Sequence, residues 1–251
     1  MDFRKHLSSN DSFSLLEIID DCVYCQDLSQ FKAIIKRLKR LVSFRGLTMS
    51  HINFQELRQE EPGSINNLDL GFPEEFMRRY LSRELYWDDV PVMAFMRSFE
   101  LQNWQEAIEV HNTGVPGAVD AELNDHGLVD GWVYGTRDIT GFKITTISLG
   151  SETIENSHRT KAIIKLSTPH LAEAYKRILQ IKEMQKYRLT RREFEVLNWL
   201  KEGKTSWEIS VILNLSERCV NFHINNAKNK LNAVNRTQAV AVALGAGHIV
   251  L

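Results

Sequence analysis

Hydrophobic residues along the larger, N-terminal part of the chain follow two different spacings. Apolar positions three and four residues apart, the spacing of one helix face, occur in SLLEIIDDCVYC and FKAIIKRLKRLVSF. Strand-like runs follow after Gly46, in LTMSHINFQEL, DGWVYGTRD and FKITTISLG. Between them, PEEFMRRYLSREL is predicted to be a helix with Pro73 in its first turn, where proline is tolerated. These patterns predict an α+β domain, a sheet with helices on its faces.

Helical spacing returns in SHRTKAIIKLSTPHLAEAYKRILQIKEM, and Pro169 predicts that this helix is either kinked or restarted there. The polar stretch KEMQKYR ends this region and is interpreted as a linker. We therefore predict an N-terminal domain of residues 1–181, a linker of residues 182–188 and a C-terminal domain of residues 189–251.

Helix start signals are dense in the C-terminal domain and predict four short helices. Capping residues precede the helical stretches at Thr190, Thr205, Ser216 and Asn235. Each threonine is followed three residues later by a glutamate, which completes a capping box. A tight turn, NLS, separates the second helix from the third. This arrangement indicates an all-α helix-turn-helix domain.

The third of these helices, SERCVNFHINNAKNKL, has an apolar stripe on one side and no acids on the other. Val220, Ile224, Ala227 and Leu231 fall on one side at helical spacing and are expected to face the core. The 34 residues after Glu217 contain no Asp or Glu. The opposite face is rich in amides, which can pair with adenine in the major groove. An ordinary solvated face is the alternative, but it explains neither the missing acids nor the tight turn.

We predict that this surface binds double-stranded DNA. Base contacts are predicted near the start of the helix, which approaches the bases first, for Arg218, Asn221, Phe222 and Asn225. Phosphate contacts are predicted for Lys204, Thr205, Ser206, Lys228 and Arg236.

Charge is divided between the two parts of the chain. The formal net charge of the whole chain is −1. Residues 186–251 carry 10 basic and 5 acidic side chains, whereas residues 1–185 carry 21 basic and 27 acidic side chains. A basic end favours an acidic partner such as nucleic acid, although a difference of this size is weak support alone.

Several classes of protein are disfavoured by the sequence. No apolar run approaches the ~20 residues that span a membrane, and MDFRKHLSSND lacks the apolar core of a signal peptide. Three cysteines form no disulfide framework, so a cytoplasmic location is expected. The eight histidines show no metal-ligand spacing, and no nucleophile elbow, phosphate loop or paired-carboxylate motif occurs. We therefore expect no enzyme activity, no metal and no cofactor.

The C-terminal domain resembles the LuxR-type helix-turn-helix along its whole length. The family spacing of Glu, Leu and Gly is met by Glu193, Leu197 and Gly203, and family phrases occur in GKTSWEI, VNFHI and NRTQAVA. Two residues of the third helix depart from the family: Cys219 stands where Thr is usual and Asn225 where Lys is common. The second departure removes a cation from the DNA face, which implies either a different preferred base or a weaker salt-dependent contribution to affinity.

The N-terminal domain resembles the autoinducer-binding domain of quorum-sensing LuxR-type regulators, most clearly in FPEEFMRRYLSRELYWDDVPVMAF and LQNWQEA. Tyr80, Asp89 and Trp104 occupy three of the family's pattern positions, Gly131 fits its later glycine, and Ser148 fits a pocket hydroxyl on the last strand. The resemblance implies an α-β-α sandwich with an antiparallel sheet. It also implies a homodimer on a near-palindromic DNA site and a small-molecule autoinducer, an acyl-homoserine lactone or analogue.

The chemistry of such a ligand assigns expected roles to these side chains. Asp89 would accept the amide N–H, Tyr80 would donate to the amide carbonyl, and Trp104 would form a wall against the ring. Phe76 stands where the family has a Trp that donates to the lactone carbonyl, and Asp-Pro becomes Asp89-Val90-Pro91. The signal is therefore expected to be a lactone held differently or another small apolar amide.

Other interpretations stay open at this point. Tyr80 and Trp104 could be core aromatics and Asp89 an exposed turn acid, and the N-terminal domain could then serve only to form dimers of a ligand-independent regulator. Cys22 and Cys25 form a C-x-x-C that could be redox-active, but their helical surroundings favour packing. Small residues of the last helix, Ala239 and Ala243 among them, suggest close packing between protomers.

Overall fold

The computed structural model describes residues 5–58, 64–111, 118–187, 189–246 and 248–249. It divides into two compact units, Met1–Arg177 and Ile178–Leu251.

The first unit contains a five-stranded antiparallel sheet and a set of helices, as predicted. The strands are β1 (Gly46–Asn53), β2 (Ile65–Leu70), β3 (Gln102–Asn103), β4 (Asp130–Arg137) and β5 (Lys143–Ser151), in the order β2-β1-β5-β4-β3. The helices are α1 (Ser9–Tyr24), α2 (Leu28–Leu41), α3 (Phe54–Leu57), α4 (Glu74–Ser82), α5 (Val90–Ser98), α6 (Trp104–His111), α7 (Ala118–Asp125) and α8 (His158–Tyr187), with a 3₁₀ turn at Leu85–Trp87. The last turns of α8, from Ile178, belong to the second unit.

Strand alternation gives the sheet two differently covered faces. On one face, side chains such as Val133 of β4 join an aromatic cluster that includes Phe76, Phe95 and Trp104. On the other face the buried Trp132 lies beneath Lys161 of α8, whose Nζ is 5.2 Å from the indole centroid. The sheet is therefore enclosed between helical layers, which agrees with the predicted α+β sandwich.

Two local predictions need correction. FQEL, predicted within a strand, forms α3, because the Asn53 side chain accepts the Gln55 N–H (3.2 Å) and caps a helix at the end of β1. The helix containing Pro169 does not restart: α8 is continuous from His158 to Tyr187. Buried residues on both sides of the proline, Ile163 and Leu171 among them, supply packing that offsets the missing backbone hydrogen bond.

The predicted linker is largely helical. Helix α8 continues through residues 182–187, and Arg188 lies outside the described residues. The stretch lacks Gly and Pro and consists mostly of good helix formers, so nothing in it stops the preceding helix.

A partly buried ion pair connects the first helix to α8. The Asp11 carboxylate accepts from Arg159 Nε (3.1 Å), and Arg159 Nη1 donates to the Leu41 carbonyl at the end of α2 (3.0 Å). Asp11 also completes a capping box with Ser8. The hydrogen bond from Arg159 outweighs the cost of burial and lowers the pKa of Asp11 to about 2.

Replacing Arg159 by leucine is expected to destabilise the first unit by about 2 kcal/mol at neutral pH, because it leaves Asp11 charged and unpaired. Since the folded-state pKa is depressed, the contribution is present above pH ~4, the ordinary carboxyl pKa, and is lost as the pH falls towards about 2. Chemical unfolding at several pH values measures this, and the difference between variant and wild type should shrink in acid. Arg37→Leu is the matched control, because its pair with Asp21 (2.9 Å) is exposed and should contribute little. Equal losses in both variants, or a loss that does not depend on pH, would contradict the assignment.

After the end of α8, the described part of the second unit contains four helices, as predicted: α9 (Arg191–Lys201), α10 (Ser206–Leu213), α11 (Glu217–Lys230) and α12 (Arg236–Gly245). All four predicted capping residues accept a backbone N–H, and both capping boxes are formed. The stripe of α11 packs inward: Val220, Ile224, Ala227 and Leu231 are buried. Ala239 and Ala243 are also fully buried in the core of their own unit, so these two residues offer no surface to a second protomer.

One buried charge is held inside this unit. Glu193, 2 % exposed, accepts from Lys230 Nζ at 2.7 Å and from the Thr190 backbone N–H at 2.7 Å. Burial opposes ionisation of Glu193, but these hydrogen bonds outweigh it and lower its pKa. The pair joins the start of α9 to the end of α11.

Lys230→Met is expected to cost about 2–3 kcal/mol, because it leaves the Glu193 carboxylate buried without its cation. The double variant Lys230→Met with Glu193→Gln should recover much of this loss, since glutamine retains the capping box without the charge. Denaturant unfolding of wild type, the double variant and both single variants, Lys230→Met and Glu193→Gln, measures the coupling. Additive losses would show that the two side chains act independently.

Candidate ligand cavity and DNA-binding surface

A cavity lies between the sheet of the first unit and the helices that cover one of its faces. It contains about 630 Å³ of space not occupied by protein atoms, a volume that includes open solvent at its mouth. All five residues predicted to contact a ligand line it: Phe76, Tyr80, Asp89, Trp104 and Ser148. Helices α4, α5 and α6 and strand β5 thus bring these five residues together around one cavity, although Phe76 and Ser148 are 72 positions apart in the sequence.

The floor of the cavity is a square of four hydroxyl side chains. Thr48 lies opposite Ser148, and Ser50 lies opposite Thr146, in the register of β1 and β5. Sequence analysis identified only Ser148. The signal for the others is present in the strand alternation, since Thr48 and Ser50 lie two residues apart, but which face they share with Ser148 depends on strand register.

Hydrogen bonds to Tyr80 and to the first turn of α5 help to hold Asp89 in place. It caps α5, with Oδ1 accepting the Val92 N–H (3.1 Å), and its Oδ2 accepts the Tyr80 hydroxyl (2.8 Å). Burial, together with the neighbouring Asp89, raises the pKa of Tyr80 well above its ordinary value. Tyr80 is therefore a neutral phenol whose single proton is directed to Asp89, so it can offer a ligand only its oxygen lone pairs.

Two aromatic side chains of the cavity wall are almost completely buried. Phe76 is 2 % exposed and Trp104 6 % exposed. The indole of Trp104 lies against the sheet where Gly131 leaves room for it: a Cβ at position 131 would lie 2.5 Å from Trp104 Cε2 and 2.2 Å from the Leu149 carbonyl oxygen. This contact gives a physical reason for the glycine in the predicted pattern.

The surface of α11 in the second unit carries the predicted base-contacting residues. Arg218, Asn221, Phe222 and Asn225 are all exposed, and Phe222 is exposed by 60 %. Phe222 is therefore not part of the protein core. An exposed phenylalanine beside arginine and asparagine side chains is suited to contact a thymine methyl group.

The predicted phosphate-contacting residues are placed less uniformly. Ser206 Oγ donates to Asn221 Oδ1 (2.8 Å), which joins α10 to α11 and leaves the Asn221 NH₂ as donor. Thr205 Oγ1 donates to Glu208 Oε2 (2.8 Å) as part of the capping box, and Lys204 Nζ lies 3.9 Å from Glu208. The remaining two predicted residues are Lys228, which is half-buried, and Arg236, which is exposed.

The C-x-x-C has the properties of packing cysteines. Cys22 and Cys25 are buried and free, and Arg177 Nη1 donates to both of their backbone carbonyls, at 2.9 and 3.0 Å. Burial raises the pKa of Cys22 to about 12 and also raises that of Cys25. Because the thiolate is the reactive form, neither thiol is suited to redox chemistry at neutral pH.

Over the described part of the chain, no helix combines the length and apolarity needed to cross a membrane. Within the same residues, no group of three or more His, Cys, Asp or Glu side chains could hold a metal ion.

Comparisons with known proteins match both units. The autoinducer binding domain family matches residues 27–175, and the luxR family of bacterial regulatory proteins matches residues 187–243. The transcriptional activator protein LuxR of Aliivibrio fischeri is 26 % identical over 98 % of this chain and 96 % of its own. VanR of Vibrio anguillarum, also a transcriptional activator protein, is 31 % identical over 71 % of this chain and 75 % of its own.

Two solved structures share the fold. Escherichia coli SdiA superposes with a TM-score of 0.56 at 20 % identity, covering 89 % of this chain and 92 % of SdiA. SdiA in complex with octanoyl-rac-glycerol gives 0.55 at 19 % identity, covering 98 % and 96 %.

A sheet-and-helix unit with an internal cavity, joined to a helix-turn-helix unit, defines a DNA-binding transcriptional regulator that responds to a small molecule. The chain belongs to the LuxR family, and it is a LuxR-type, autoinducer-binding regulator.

Proposed function

We propose that the cavity binds an acyl-homoserine lactone or a closely related acylated amide. The observation that carries this proposal is the convergence of one carboxylate, a hydroxyl-bearing floor and apolar aromatic walls on a single enclosed space. A carboxylate oxygen can accept more than one hydrogen bond, so Asp89 can accept a ligand amide N–H alongside the bonds from Tyr80 and Val92. The aromatic walls suit an apolar tail.

The donor to the ligand's amide carbonyl is assigned to Ser148 rather than Tyr80. The Tyr80 proton is directed to Asp89, whereas the Ser148 hydroxyl lies on the cavity floor and can rotate towards an acceptor. Tyr80 instead orients the carboxylate that accepts the amide N–H.

Ligand binding would be linked to DNA binding through stability and assembly. A ligand that binds only the folded first unit stabilises it by mass action. We infer that the bound protein forms a homodimer, placing two copies of α11 about one DNA turn apart on a near-palindromic promoter site.

Thermal melts of the purified protein against acyl-homoserine lactones of graded tail length test this function. We expect a saturable rise in Tm that peaks at one tail length, because the cavity has a fixed volume. No rise with any lactone, for a folded protein that still binds DNA, would contradict lactone sensing.

A second candidate ligand is an acylated polar head group other than a lactone. Phe76 offers no donor, and four hydroxyls line the floor, which favours a head group with several hydrogen-bonding atoms. The complex of SdiA with octanoyl-rac-glycerol supports including this class. A rise in Tm with 1-octanoylglycerol and none with the lactones would favour it.

Phe76→Trp is expected to increase affinity for the lactones about five- to tenfold, by adding a donor where a lactone carbonyl would lie. The larger ring should lower the Tm of the ligand-free protein slightly, because Phe76 is already enclosed. Titration calorimetry measures the affinity, and Phe76→Leu, which adds no donor, is the control. No gain with tryptophan would indicate a site built for another head group.

A further inference from the structure

Three of the hydrogen-bonding side chains that line the cavity are already bonded to other protein groups. Tyr80 donates to Asp89, Ser50 donates to Asn67 Oδ1 (2.7 Å), and the Tyr86 hydroxyl is bonded to Glu84. The hydroxyls of Thr48, Thr146 and Ser148 remain, and each can rotate to suit a neighbour.

Trp104 holds a donor of a different kind. Its indole Nε1–H is buried and has no acceptor among the residues that the structure describes. An indole nitrogen can only donate, and it cannot rotate away from its ring. Burying a donor without an acceptor costs free energy. A ligand that placed an acceptor atom next to this N–H would remove that cost.

The position of Trp104 is fixed by the sheet. The preceding Asn103 is buried and donates from Nδ2 to Asp130 Oδ1 (2.9 Å) and to the Gly131 carbonyl (3.1 Å), while its Oδ1 accepts the Glu106 N–H (3.0 Å). The indole then lies against Gly131 and Gly150. A donor held this rigidly is suited to select among ligands, because it needs no reorganisation on binding.

We propose that Trp104 Nε1–H donates to a carbonyl oxygen of the ligand's head group. Phe76 cannot make this hydrogen bond, because its side chain has no N–H. This inference rests on the proposed function, since it requires an acylated ligand in the cavity. It makes Trp104 a specificity-determining residue that distinguishes head groups with a carbonyl acceptor from those without one.

A pair of ligands and a pair of variants test the proposal. The ligands are the acyl-homoserine lactone with the largest thermal shift and the N-acyl-cyclopentylamine of the same tail, which lacks the head-group carbonyl. The variants are Trp104→Phe and, as control, Trp132→Phe. Trp132 is also buried with an Nε1–H that lacks an acceptor among the described residues, but it lies on the opposite face of the sheet and outside the cavity lining.

Wild type and Trp132→Phe are expected to bind the lactone about tenfold more tightly than the cyclopentylamide, and Trp104→Phe should lose that preference. In the wild-type protein the indole ¹⁵N–¹H resonance of Trp104 should move downfield when the lactone binds and stay nearly unchanged with the cyclopentylamide. If Trp104→Phe does not fold, this chemical-shift change in the wild-type protein shows whether the Trp104 N–H donates to the ligand.

The results distinguish failure of the Trp104 hydrogen bond from failure of lactone binding itself. If wild type binds the lactone but Trp104→Phe retains the full preference, or weakens both ligands equally, the donor role is wrong and the proposed function stands. If wild type binds no lactone, the proposed function fails and the role of Trp104 fails with it.

Discussion

Asp89→Asn is expected to reduce ligand affinity about 100-fold or more, while the first unit remains folded. Asparagine keeps one oxygen, which can still cap α5 by accepting the Val92 N–H. Its NH₂ replaces the second oxygen. The Tyr80 hydroxyl can turn and accept from that NH₂, but a ligand amide N–H would meet a donor where it needs an acceptor. Leaving charged-group hydrogen bonds unmade costs ~3 kcal/mol, which is the expected effect.

The control for this prediction is Asp88→Asn, which removes the same charge one residue away. Asp88 is exposed and does not line the cavity. Thermal melts with and without the best ligand of the panel measure both variants. An undiminished ligand-induced rise in Tm for Asp89→Asn would place this carboxylate outside the binding contacts.

Arg218→Ala and Asn221→Ala are each expected to weaken binding to the specific DNA site by about 1–3 kcal/mol, with little change in stability. Both side chains are exposed on α11 and none of the core contacts depends on them. Ser206→Ala should give a smaller loss of the same kind, because Ser206 Oγ orients the Asn221 amide. Asn229→Ala, exposed near the other end of the helix, is the control and should change affinity little.

Fluorescence anisotropy on specific and random DNA at one salt concentration separates the possible roles. A loss confined to the specific site supports base contact. An equal loss on random DNA would show that the residue contributes only to general attraction to phosphates.

The second unit could be predicted in detail because its signals are local. Thr190, Thr205, Ser216 and Asn235 each bond to a backbone N–H three residues later, so short sequence windows determine where the helices begin. The 3.6-residue repeat then identifies which side of α11 is buried. The Glu193–Lys230 pair escaped prediction because its partners are 37 residues apart and meet only in the folded unit.

The cavity was predictable in part. The residue pattern that resembles the family pointed to Tyr80, Asp89 and Trp104, and the structure brings them together. The direction of the Tyr80 proton and the unsatisfied nitrogen of Trp104 depend on packing between distant elements. The hydroxyl floor depends on the register of β1 against β5, which hydrophobic alternation alone does not specify.

Cys219 and Asn225 distinguish this recognition helix from the usual family pattern. Both are exposed on α11, which agrees with a role in contact with DNA rather than in packing. Asn225 replaces a cation with an amide, so we expect a lower salt dependence together with a changed base preference at the position it faces.

The central claim is that occupation of the cavity controls DNA binding. The most direct measurement is the affinity of the full-length protein for its specific DNA site, selected from random sequences, with and without the ligand that raises its Tm. The ligand is expected to increase this affinity about tenfold or more, as is typical of coupled sites. Equal affinity in both conditions, with a ligand that clearly stabilises the protein, would contradict it.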